Sequence, residues 1–133
     1  MDANLNRSKE GLRVCEEVAR FILADQKLSA LYKKIRHEID FLAKKVSSPA
    51  LLLSQRNSQK DVGRLNSHGE LMRHNCQDIF WSNMQRTKES LRVLEEFSKV
   101  INVAAAKGFK KLRYQVYEIE KSSFKKISAL SDS

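Results

Sequence analysis

The chain has 133 residues, of which 41% are hydrophobic and 31% charged, with four glycines, one proline and a formal net charge of +9. That length suits one domain able to bury a core, and no apolar run approaches the roughly 20 residues that span a bilayer. No basic, apolar and small-residue segment opens the chain as a secretory signal would, so a cytoplasmic protein without a membrane role is expected.

The first predicted element covers residues 4–22, NLNRSKEGLRVCEEVARFI. Leu12, Cys15, Val18, Ala19 and Ile22 recur at three- and four-residue steps, the period of an amphipathic helix. Asp2 or Asn4 is placed to cap it. Asp25-Gln26 marks the break, and Leu28, Leu31, Ile35, Ile39, Leu42 and Val46 predict a second helix. A single histidine on it, His37, is read as a hydrogen bonder at the edge of the core.

Residues 47–75 form the connector. Ser48-Pro49 is a helix start, and residues 55–69 are polar and include Asp61-Val62-Gly63-Arg64. A connection this long in a small domain is usually functional or disordered.

The third element repeats the first. Residues 83–101 read NMQRTKESLRVLEEFSKVI, and Asn, Arg, Lys, Glu, Leu, Arg, Val, Glu, Glu and Ile recur in register with residues 4–22. Asn75 caps this helix. After a connection two residues shorter, Lys110-Lys111-Leu112-Arg113-Tyr114 matches Lys33-Lys34-Ile35-Arg36-His37. Gly108 lies near the expected break, and Phe109, Leu112, Val116 and Ile119 give the fourth helix its apolar face. The prediction is an all-α four-helix bundle of two tandem hairpins with pseudo-twofold symmetry: repeat one 1–46, connector 47–75, repeat two 76–126. Its core should contain Leu12, Cys15, Val18, Ile35, Ile39, Leu91, Leu94, Leu112 and Val116.

The repeated polar residues are the candidate chemistry. Asn4 with Arg7, and Asn83 with Arg86, stand near helix starts, where unpaired N–H groups favour anions. Arg13 and Arg92 each have glutamates three residues before and four after, which can hold them by ion pairs. Converging arginines suit phosphate or pyrophosphate, because guanidinium binds such groups bidentately. Paired carboxylates Glu16-Glu17 and Glu95-Glu96 point about 100° apart on a helix and make poor acid–base dyads. No Gly-rich phosphate loop, H-E-x-x-H or G-x-S-x-G occurs. Cys15, Cys76, His37, His68 and His74 have no zinc spacing, so no metal site is expected and no cofactor is assigned. Lys107, Lys110, Lys111, Arg113, Lys121, Lys125 and Lys126 make one basic stretch, which leaves nucleic acid as a second-choice partner.

Asp2-Ala3-Asn4-Leu5-Asn6-Arg7, Glu10-Gly11-Leu12-Arg13-Val14, Glu16-Glu17, Asp61-Val62-Gly63, Leu91-Arg92-Val93-Leu94-Glu95-Glu96 and Leu112-Arg113-Tyr114 together resemble the helical domain N-terminal to the synthase barrel in some bacterial thiamine-phosphate synthases. The resemblance covers nearly the whole chain. It implies a place in thiamine biosynthesis, a link to the hydroxymethylpyrimidine phosphate step, and ligands such as hydroxymethylpyrimidine phosphates or thiazole phosphate. These 133 residues include no phosphate-binding βα barrel, so the condensation itself is not expected of them alone, and no complete catalytic constellation is apparent. The partners expected are a phosphorylated small molecule, and a separate synthase barrel protein or a second copy of the chain in a homodimer. The site residues proposed are Asn4, Arg7, Arg13, Asn83, Arg86, Arg92, Asp61 and Gly63. The competing readings are a nucleic-acid-binding helical protein and an interaction module that docks on an enzyme.

Overall fold

A computed structural model describes residues 1–46 and 75–131. Those residues form four helices and no strand. Helix α1 covers Asp2–Glu17 and runs on as a π-helical segment, Val18–Ile22. Helix α2 covers Gln26–Val46, α3 Cys76–Ser98 and α4 Val103–Ser131. Asp61 and Gly63, with the Ser48-Pro49 helix start, lie outside the described residues.

Local chemistry sets the helix ends. Ala24 takes a left-handed φ of 49°, a conformation that crowds Cβ in any L-residue other than glycine. The Asp25 N–H then closes on the Ala19 carbonyl at 2.9 Å. Asp25 caps α2, its Oδ1 accepting from the Leu28 N–H at 2.9 Å. Asn75 caps α3 as its sequence predicts, its Oδ1 accepting from the Asp78 N–H at 2.8 Å. Asn102 does the same for α4, accepting from the Ala105 N–H at 3.1 Å.

Three sequence expectations need correction here. Helix α1 begins at Asp2 with Met1 at the cap position and no side-chain cap bond, so neither Asp2 nor Asn4 caps it. Gly108 lies within α4, where its missing Cβ leaves room for the Leu42 side chain, and the break falls at residues 99–102 instead. Leu31 keeps the helical period of α2 but is 51% exposed, because it stands at the margin of the buried face.

Every neighbouring pair of helices is antiparallel. Each helix has two main neighbours, in the ring order α1–α2–α4–α3. Glu16 meets Arg36 and Lys9 meets Asp40 across α1–α2, while Glu95 meets Arg113 and Lys88 meets Glu120 across α3–α4. Cys15 lies against Phe80, and Gly11 against Asn83 and Thr87, across α1–α3. Tyr32 meets Ser123, and Leu42 meets Gly108, across α2–α4.

All nine residues assigned to the core from sequence are buried, with Phe80, Met84, Phe109 and Tyr32 beside them. The Tyr32 hydroxyl is satisfied by Ser123 Oγ at 2.5 Å, and burial holds its acidity far below that of an exposed tyrosine. Burial, with Glu120 adding to it, pushes the Cys15 thiol up to about 12. It is therefore a neutral packing group at physiological pH and no nucleophile.

Two substitutions test the packing. Leu94→Ala, at a fully buried position, should lower the unfolding free energy by ~2–5 kcal/mol in urea denaturation. Gly11→Ala should destabilise the protein by ~1–2 kcal/mol, although helix propensity alone favours alanine by about 1 kcal/mol. The reason is that a Cβ at Gly11 would stand 2.8 Å from the Asn83 carbonyl oxygen, a backbone atom with little freedom to move.

Candidate functional site

The repeated Asn and Arg residues lie on α1 and α3, and the seam between these helices decides which of them come to one level. Small and hydroxyl residues make it: Gly11, Ser8, Thr87 and Ser90 are all buried. Each hydroxyl returns its hydrogen to its own helix. Ser8 Oγ donates to the Leu5 carbonyl at 2.9 Å, Thr87 Oγ1 to Asn83 at 2.9 Å and Ser90 Oγ to Thr87 at 3.0 Å. The hydroxyls are therefore satisfied without widening the seam.

Antiparallel packing decides which repeated residues share a level. Asn83 stands at Gly11, so Asn4, seven residues earlier on α1, is about 10 Å further along the axis. The two asparagines do not face each other. Asn83 is nearly buried and its Nδ2 donates to the Ile79 carbonyl at 2.8 Å, whereas Asn4 is half-buried. Arg86 lies three residues beyond Asn83, moving back along α1, which brings it to the level of Arg7 and Ser8.

Helix geometry also fixes the faces. At about 100° per residue, Arg7 lies roughly 40° from Gly11, and on the side away from Glu16, the residue that meets α2. Arg86 lies roughly 60° from Asn83, on the side away from Glu95, which meets α4. Since α2 and α4 sit on one side of the α1–α3 layer, Arg7 and Arg86 flank the seam on its opposite, outer side. Arg7 is half-buried and Arg86 exposed. Arg7 has no ion pair among the described residues, and Arg86 makes contacts of its own.

Arg13 and Arg92 belong elsewhere. Each is rotated by roughly 160–180° from the seam residue of its helix. Arg13 Nε lies 3.0 Å from Glu17 Oε1, and Arg92 Nε 3.1 Å from Glu96 Oε1. Lys99 Nζ also reaches Glu96 at 3.0 Å, and this bond, with Arg92 adding to it, holds the Glu96 carboxyl below its usual range. These pairs are exposed ones of the kind worth little to stability. The structure thus separates the candidate set into Arg7 and Arg86 at the seam and Arg13 and Arg92 on the flanks.

The sequence reading missed the more consequential carboxylates. Glu16 and Glu95, dismissed as half of poor dyads, are buried and bound to arginines of the following helix. Arg36 Nε meets Glu16 Oε1 at 2.7 Å, and Arg113 Nε meets Glu95 Oε1 at 2.9 Å. The bond to Glu95 raises the Arg113 proton affinity further. The signal was present, because Glu16/Glu95 and Arg36/Arg113 are matched positions of the repeat. His37, expected at the core edge, is exposed on α2. Its matched residue, Tyr114, is half-exposed, with its ring 5.2 Å from the Arg113 guanidinium carbon. Among the described residues no cluster of His, Cys, Asp or Glu could hold a metal ion, and no helix is long and apolar enough to cross a membrane.

Comparison with known proteins gives a consistent set of similarities. The chain matches the ThiD2 family over residues 1–122. A thiamine-phosphate synthase of Nostoc punctiforme is 39% identical over 121 residues, which is 90% of this chain and 33% of that protein. Thiamine-phosphate synthases of Synechocystis sp. and Rhodopirellula baltica are each 36% identical, over 127 and 118 residues, covering 90% and 88% of this chain and 34% and 31% of theirs. The chain thus spans about a third of the length of the curated relatives it matches. No solved structure matches it.

The buried pairs make a stability prediction. Arg113→Met should cost ~3–5 kcal/mol, because Glu95 is left charged and unpaired. Adding Glu95→Leu should recover most of that loss, since an apolar pair of similar size removes both desolvation terms. Urea denaturation of the two single variants and the double variant measures the coupling, and additive single costs would count against it.

Proposed function

The chain belongs to the ThiD2 family, and from that premise we propose that it serves thiamine-phosphate synthesis as a domain that binds a phosphorylated pyrimidine or thiazole precursor, or pyrophosphate. Its relatives named thiamine-phosphate synthase carry about twice as much further chain, and in this reading the condensation belongs to a synthase barrel with which the domain works. The phosphate would sit on the outer face of the α1–α3 seam, with Arg7 and Arg86 as its principal ligands and Asn4 and Asn83 beside them. Arg13 and Arg92 would contribute long-range field only. Asp61 and Gly63 remain in the proposed set on the family resemblance alone.

The observation that carries this reading is the common level and common face of Arg7 and Arg86, two matched arginines from two antiparallel helices. Two guanidinium groups approaching from either side can clamp a dianion bidentately. The basic stretch offers nucleic acid a weaker footing. Arg113 is buried on Glu95, Lys126 is bonded to Asp25, and Lys121 lies 3.8 Å from Glu118.

The test is a thermal-shift titration with hydroxymethylpyrimidine phosphate, thiazole phosphate and pyrophosphate. Arg7→Ala or Arg86→Ala should abolish the shift while the unliganded protein stays folded. The expected weakening is ~1.5–3 kcal/mol, roughly ten- to a hundredfold in affinity. Lysine at either position should rescue only part of it, because an ammonium lacks the planar fork. Equal loss from Lys125→Ala or Lys126→Ala would mean diffuse electrostatics and would overturn the site.

A further inference from the structure

The α1–α3 layer has two sides. Helices α2 and α4 pack on one, and among the described residues no helix packs on the other. That outer side carries charges of both signs. Glu10 and Glu89 are matched residues of the repeat, three residues on from Arg7 and Arg86. Each stands about 60° further round on the same side of its helix. Both are exposed, and among the described residues neither is ion-paired. Gly11 stands level with the turn between Asn83 and Thr87. Glu10 therefore comes level with Arg86, and Glu89 level with Arg7. The centre of the face is a quartet of alternating charge with no net excess, on a chain of net charge +9.

Apolar side chains flank the quartet at both ends. By the same helical geometry, Val14 of α1 and Ile79 of α3 lie on the outer side towards the end of α1, and Val93 and Phe97 of α3 towards its start. Val14 and Val93 are half-buried, while Ile79 and Phe97 are 36% and 59% exposed. Residues 2–22 and 76–98, side by side as helices, make a face about 30 Å long and about 20 Å wide. That area is on the order of the ~800 Å² that a stable interface takes from each partner.

We propose that this face pairs with the same face of a second copy of the chain. An alternating quartet is complementary to itself. Turned over, it sets Glu against Arg, and the apolar ends of the two copies then cover one another. The rest of the surface carries the whole excess of positive charge and would repel its own copy. The pairing also completes the anion site, and this part alone rests on the phosphate reading. A ligand on an open two-helix face keeps one side in water, whereas small-ligand sites bury most of the ligand. A second copy supplies the missing wall. A guanidinium with its five donors can hold a partner's carboxylate and an anion together.

Sedimentation velocity of the full chain, from micromolar to millimolar concentration, should show a monomer–dimer equilibrium. Phe97→Asp, at an exposed position, and the double variant Glu10→Arg/Glu89→Arg should each weaken the dimer by about tenfold or more with helicity unchanged. Charge exchange is the sharper test. Chains with Glu10→Arg/Glu89→Arg, mixed with chains carrying Arg7→Glu/Arg86→Glu, should form a heterodimer under conditions where neither variant pairs with itself. A chain that stays monomeric at millimolar concentration overturns the proposal. So does a dimer that none of these variants weakens, since it uses another face. Titration with pyrophosphate separates the two readings. Arg7-dependent binding to a monomer removes the dimer and leaves the phosphate site standing. A dimer of this face whose association pyrophosphate leaves unchanged upholds the pairing and removes the enclosed site.

Discussion

The closeness of α1 and α3 is the constraint from which the rest of the arrangement follows. Gly11 lets a backbone carbonyl of α3 approach where any larger residue would stand in its way. Ser8, Thr87 and Ser90 keep the seam narrow and satisfy their own hydroxyls within their helices. A close antiparallel pair leaves two sides. One is filled by α2 and α4, which supply Tyr32, Ile39, Phe109 and Val116 to the core. The other is the outer face. The level at which the two helices meet also puts Arg7 and Arg86 at a common height while Asn4 and Asn83 stand apart.

The Glu–Arg pairs do a different job from the apolar core. A buried ion pair contributes little net stability, because desolvation offsets most of the Coulombic attraction. Misplacing it is costly, since an unpaired buried carboxylate has no cheap alternative partner. Glu16 with Arg36, and Glu95 with Arg113, therefore fix how far the second helix of each hairpin slides along the first. Apolar side chains alone specify such a register weakly, being interchangeable at one-turn offsets. Register in turn sets which side chains meet: Glu95 holds Arg113, whose guanidinium carbon lies 5.2 Å from the Tyr114 ring centroid.

Much of this was legible in the sequence. The helical period located the core correctly, because burial of an amphipathic face is the largest favourable term and leaves a strong pattern. Asn75 was legible as a cap because its side chain acts within one turn. What was missed depends on neighbours distant in sequence. Leu31 fits the period of α2 but falls beside a groove, and only the position of α4 shows this. Gly108 resembles a helix terminator, yet its use is to admit Leu42. Glu16 and Glu95 looked like surface charges because each was judged against its adjacent glutamate. Their partners are 20 and 18 residues away. Arg7, Arg13 and their matches were read as one constellation, and the turn of the helix divides it. Convergence cannot be inferred from repetition alone, since a twofold brings together only residues close to its axis.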